Sequence, residues 1–163
     1  MRRTRILTTV AASVVALAAV AGTGCGGGDD EPGALSKSSF ARKANELCSK
    51  AKADRDAQLG QLPADPSGAA DAQKLQSVAT TDRELIRRVD ALVPPEPEQD
   101  QVDQVLEAWR KRADLEDQYA QAVGRMTDPA TLAAFASNQA QIDATTDPVA
   151  VQLGLTACTR GTP

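Results

Sequence analysis

Beyond residue 38, apolar residues recur every three or four positions, and proline and glycine cut that pattern into segments. Phe40, Ala44, Leu47, Cys48, Ala51 and Leu59 mark one face of a first helix. Ser38 or Ser39 can cap its start, and LPADPSG at 62–68 ends it. A second stripe runs Leu75, Val78, Asp82, Leu85, Ile86, Val89, Leu92 and stops at VPPEPEQD, 93–100, where consecutive prolines forbid continuation. The third is Val102, Val105, Leu106, Trp109, Ala113, Tyr119, Ala120 and Val123, lasting to about Met126. TDPA at 127 and TDPV at 146 each set Asp before Pro, an N-cap followed by a first helical position. The former opens a helix with Leu132, Phe135, Ala136, Gln139 and Ile142; the latter opens a short one, Pro148 to Leu153, stopped at Gly154. The expected fold is all-α: an antiparallel bundle of about four helices with a short C-terminal helix.

Composition narrows this further. Of 163 residues 42% are hydrophobic but only 2% aromatic, so burial falls to Ala, Leu and Val, which pack well between close helices. No histidine is present, which removes the commonest general base and metal ligand.

Ahead of the helices, residues 1–24 read as an export leader. MRRTR is its basic start, ILTTVAASVVALAAV an uncharged apolar segment, and AGTG a small-residue end. The apolar run is shorter than the roughly 20 residues a membrane span requires. Gly22-Thr23-Gly24-Cys25 resembles the lipobox of bacterial lipoproteins, with Gly22 where that family usually carries an aliphatic side chain. The resemblance implies cleavage before Cys25 and a diacylglyceryl thioether on its sulfur. Membrane lipid is then a partner through Cys25, and the chain sits on the extracytoplasmic face of the cell membrane. Two acyl chains hold where one is marginal. The alternative is plain secretion with cleavage near Gly24.

Residues 25–37, the lipidated cysteine and GGGDDEPGALSK, are expected to form a disordered tether to a folded domain at 38–163. Losing Arg2, Arg3 and Arg5 with the leader leaves 15 basic against 22 acidic residues, a net charge of −7. So acidic a domain is a poor partner for nucleic acid.

With Cys25 assigned to lipid, Cys48 and Cys158 remain in an oxidising compartment, and one pairing is open to them. A disulfide would close a loop of about 110 residues and contribute about 4.7 kcal/mol on the loop-entropy account. The alternative is two buried thiols. FARKANELC and LGLTAC, around these cysteines, are loosely similar to a pattern in small helical lipoproteins of high-GC bacteria, which brings no activity with it.

Signatures of chemistry are sparse. Without histidine, Ser-His-Asp, Cys-His and H-E-x-x-H sites are impossible. Glu107, Asp114 and Glu116 leave carboxylate catalysis formally open, but acids at helical spacing usually form a solvated face. PPEPEQDQVDQ (Glu96, Glu98, Asp100, Asp103) lacks the spacing of a calcium loop and suits the start of a helix. Trp109 and Tyr119 read as core rather than a ligand-stacking pair, and RELIRR and WRKRADLED as surface ion pairs. No catalytic residue, metal or cofactor is expected. The expected function is a non-enzymatic, membrane-anchored bundle that acts by contact with an envelope protein; the alternative is a small-solute- or metal-binding accessory lipoprotein, which needs a concave pocket with converging polar groups.

Overall fold

Four helices carry the computed structural model, which describes residues 33–160: α1 Lys37–Leu59, α2 Gly68–Asp90, α3 Gln99–Gly124 and α4 Pro129–Gln152. The leader, Cys25 and tether residues 26–32 lie outside the described residues. Successive helices pack on each other, α1 on α2, α2 on α3, α3 on α4, and short loops make neighbours antiparallel. A 3₁₀ turn, Thr156–Cys158, lies against both α1 and α4. The all-helical bundle expected from the sequence is therefore the observed fold.

The helix ends refine that expectation. Ser36, not Ser38 or Ser39, caps α1, accepting from the Ser39 backbone N–H at 3.3 Å. Leu35 N–H donates to the Val93 carbonyl at 2.9 Å, so the last residues assigned to the tether are already bound to the fold. Asp128 caps α4 with Pro129 behind it, as the TDPA motif predicts. The second motif behaves differently: Pro148 lies inside α4, and the expected fifth helix is the last turns of the fourth. Two local features make this tolerable. The Thr145 and Thr146 hydroxyls donate to the Ile142 carbonyl, binding the preceding turn. The carbonyl that Pro148 leaves without its N–H partner belongs to exposed Ala144, where water can replace it. Asp147 meanwhile accepts from the Arg160 backbone N–H instead of capping a helix.

α4 ends at Gly154, whose φ of +78° suits the left-handed position after a helix. Leu155 N–H reaches the Ala150 carbonyl and Gly154 N–H that of Val151, closing a Schellman turn. α3 closes the same way through Met126, at φ +53°, with Thr127 N–H on the Ala122 carbonyl and Met126 N–H on that of Val123.

After Gly154 the tail turns back across α1. Asn45 holds it from both sides, donating to the Gly154 carbonyl and accepting from Ala157 N–H, each at 2.8 Å. The Cys48 and Cys158 sulfurs stand at disulfide distance, 2.06 Å, 110 residues apart in sequence.

The core divides in two. The larger cluster joins Phe40, Ala44, Cys48, Leu85, Val89, Val105, Trp109, Leu153 and Leu155 at the end where α1 begins. The smaller one, Leu75, Ala120 and Val123 with Leu62, Tyr119 and Leu132 against them, lies toward the other end.

Candidate functional site

Between the two apolar clusters runs a belt of buried charge. Asp82, on the apolar stripe of α2, is 1% exposed and lies at its centre. Arg55 from α1 approaches its Oδ1 at 3.3 Å, and Arg160 from the tail approaches Oδ2 at 2.6 Å. Arg112 of α3 adds a longer contact to Oδ2 at 3.6 Å. Arg112 also pairs with Glu116 one turn along, and its Nε lies 2.9 Å from Asp143 on α4. Every helix and the tail thus contribute a charge to one layer.

The tail's contribution follows from the cysteine staple and the Asn45 clamp, which fix residues 157 and 158 just before Arg160. The Arg160 backbone N–H then donates to the Asp147 carboxylate at 3.2 Å, aiming the guanidinium inward.

Four buried polar atoms of the belt, Asp82 Oδ2, Arg112 Nε, Glu116 Oε2 and Arg160 Nη1, make no well-aligned hydrogen bond among the described residues; Asp82 Oδ2 and Arg112 Nε are nonetheless in close ion pairs, so Glu116 Oε2 and Arg160 Nη1 are the least engaged. They belong to neighbouring groups, since Arg160 Nη1 is 4.0 Å from the other Glu116 oxygen. Burial raises the Glu116 carboxyl from 4.5 to about 8, and the Asp82 charge pushes the same way, against the pull of Arg112 and Arg55. Burial also raises Asp143, with Asp147 adding to the effect and Arg112 opposing it. Glu116 therefore keeps its proton at neutral pH.

The belt forms the inner wall of a cleft of about 310 Å³. Arg55, Arg112, Glu116 and Arg160 supply its charged side; Leu59, Leu75, Val78 and Tyr119 supply an apolar side. Lys52 and Asp56 meet at 3.2 Å on the exposed rim, and Gln139 approaches from α4. The first half of α4 leaves this space open because Leu132, Phe135, Gln139 and Ile142 are only half-buried. Phe135 touches Tyr119 edge-on, with ring centroids 6.2 Å apart.

A second, more apolar groove lies at the end of the bundle farthest from Leu35. Pro66, Tyr119, Val123, Met126, Pro129 and Leu132 line it, and Met126 is 76% exposed.

The residues singled out from sequence are placed as follows. Cys48 and Cys158 come together. Glu107 and Asp114 lie on the surface, paired with Lys111 and Arg83, and only Glu116 of the three candidate carboxylates enters the belt. Glu98 pairs with Lys37 at the start of the fold. Trp109 packs in the larger core cluster, whereas Tyr119 lines the cleft, so they form no stacking pair. RELIRR does make surface pairs, Arg87 with Glu84 and Arg83 with Asp114. WRKRADLED requires correction: Arg112 is half-buried and Glu116 buried, because they fall on the core-facing side of α3 between Trp109 and Ala120.

Arg55, Arg112, Asp143 and Arg160 were missed. A signal existed for Arg55, four residues after buried Ala51 and four before Leu59, and for Glu116, three after Ala113 and four before Ala120. A charge occupying the gap in an apolar stripe is the mark of such a belt. Arg160 follows the last helix and has no periodicity to reveal it.

Among the described residues no group of His, Cys, Asp and Glu converges as a metal site, and no helix is long and apolar enough to cross a membrane. Compared with known proteins, the chain matches no family model, and no curated protein or solved structure is significantly similar to it.

Proposed function

We propose that the chain is a membrane-anchored lipoprotein of the extracytoplasmic face, held by acylation of Cys25, whose helical bundle binds a small solute and has no enzymatic activity. The observation that carries the binding role is the cleft: a concave site with one charged and one apolar wall. The anchor rests on the leader and the Gly22-Thr23-Gly24-Cys25 box. Measuring the intact mass of membrane-extracted protein tests it: a chain starting at acylated Cys25 is expected, and an unmodified Cys25 or a start near Ser36 overturns it. A thermal-shift screen of metabolites and metal ions tests the cleft. A ligand at a hundred times its Kd adds about 2.7 kcal/mol of stability, and a screen with no stabilising compound counts against solute binding.

Contact with an envelope protein is the second reading, supported by the apolar groove around exposed Met126. That groove lies about 34 Å along α1 from the tethered end, facing away from the membrane on this reading, and its occupant would be an apolar segment of the partner. A photocrosslinker at position 126 should capture one defined envelope protein that a crosslinker at exposed position 42 does not. Equal capture at both positions overturns it.

A further inference from the structure

We infer that residues 156–160 are a redox-released strap. While Cys48 and Cys158 are joined, it closes the side of the bundle between α1 and α4; reduction of the pair frees it with the helices still packed. The strap works in this way whether or not the cleft takes a solute.

The helices leave room for such a part. α1, α2, α3 and α4 pack in a row, and its two ends, α1 and α4, are joined through the tail turn, which lies against both. The cleft opens on that same side, with Lys52, Arg55 and Leu59 of α1 on one flank and Gln139 of α4 on the other. The strap sets Arg160 into its wall.

One covalent bond holds the strap, with little beside it. Leu155, the last large apolar side chain to be buried, stays with the end of α4, since its N–H donates to the Ala150 carbonyl. Beyond it Thr156 is exposed, Ala157, Thr159 and Arg160 are half-buried, and Cys158 is buried. Two bonds shape the strap without placing it: Cys158 N–H donates to the Leu155 carbonyl, and the Thr159 hydroxyl to the Thr156 carbonyl.

Its polar links to other elements are Ala157 N–H to Asn45 Oδ1, Arg160 N–H to Asp147, and the Arg160 guanidinium to Asp82 and, at 4.0 Å, Glu116. Such hydrogen bonds replace bonds to water at small net gain, and lost hydration offsets most of the attraction in a buried ion pair. Asp82 keeps Arg55 and Arg112 when Arg160 leaves. With no large apolar anchor of its own, a strap cut loose from Cys48 regains chain entropy that these links do not match. The helices have a different support, because Phe40, Val89, Val105 and Trp109 pack α1, α2 and α3 together in the larger cluster.

A dithiol supplies the two electrons. Its thiolate attacks one sulfur of the pair, the S–S bond breaks, and the other cysteine departs as a thiolate that takes up a proton. The reductant's second thiol then resolves the mixed disulfide, leaving Cys48 and Cys158 as thiols and the reductant as a cyclic disulfide.

Hydrogen exchange of the full-length chain with and without dithiothreitol tests this, alkylation showing that Cys48 and Cys158 are reduced. Amides at 157–160 should exchange at least about tenfold faster after reduction, while those of α2 and α3 remain protected and the helical circular dichroism is unchanged. Reoxidation with glutathione disulfide should restore the protection. Cys48→Ser should behave as the reduced chain without any reductant, and Arg160→Ala, with the bond intact, should keep Ala157 protected. A strap that stays protected with both thiols free, or that opens in Arg160→Ala, overturns the inference. So does loss of the helical signal on reduction, which would make the bond a staple of the whole fold, and so does a strap that reoxidation fails to close.

Discussion

The bundle is built differently on the two sides of Asp82. Toward Leu35, Phe40, Ala44, Val89, Leu153 and Leu155 are all but inaccessible, and the Cys48–Cys158 staple fastens the tail over them. On the far side the fully buried apolar residues dwindle to a few, and α4 rests on α3 through half-buried Leu132 and Phe135. One half supplies stability and the other supplies space. A small domain with few aromatic residues cannot fill both ends equally, and the cleft opens where filling stops, bordered by the charges that a fuller core would have excluded.

That contrast can be attacked at several strengths. Replacing both Cys48 and Cys158 by serine should cost about 4.7 kcal/mol by loop entropy, read from urea denaturation under non-reducing conditions; an unchanged midpoint would show the near half stable without its staple. Phe40→Ala should cost about 4 kcal/mol and Phe135→Ala about 1 kcal/mol, and equal losses would erase the difference between the halves. Asp82→Ala leaves Arg55, Arg112 and Arg160 facing one another and should cost about 3 kcal/mol, whereas a change within about 0.5 kcal/mol would mean the belt is solvated in practice.

The pH dependence comes next in size. Glu116 has its folded value raised from 4.5 to about 8, and burial moves Asp143 in the same direction. The folded state then holds protons that the unfolded chain releases, so this contribution is complete below about pH 4.5 and is lost as pH rises through about 8. The thermal midpoint should fall between pH 5 and pH 9 by an amount on the order of 2 kcal/mol in stability, and Glu116→Gln should flatten most of that fall. The smallest effect expected is a gain: Met126→Gly relieves the positive φ at the end of α3 and should add about 1 kcal/mol. It should leave the near half untouched, as hydrogen exchange would report.

Most of the helices were legible because their stripes are regular; α2 in particular carries Asp82 in step with Leu75, Val78 and Leu85, and all four are buried. The continuity of α4 was not, since Asp147-Pro148 has the chemistry of a helix start. Only the folded chain reveals that Asp147 is taken by the tail and that threonine hydroxyls bind the preceding turn. The belt was half legible. Arg55 and Glu116 stand at gaps in apolar stripes, yet a lone charge in a stripe resembles an interruption until its partners from other helices are known. Arg160 lies 78 positions from Asp82 in a segment without period, brought there by a covalent crosslink and a clamp at Asn45.

The position of Arg160 also sets the order of assembly. Its guanidinium reaches Asp82 only after the tail has crossed α1. A growing or thiol-reduced polypeptide must carry that acid with Arg55 and Arg112 alone, so its recess is still missing a wall. An intact belt thereby reports that the tail has been fastened across α1.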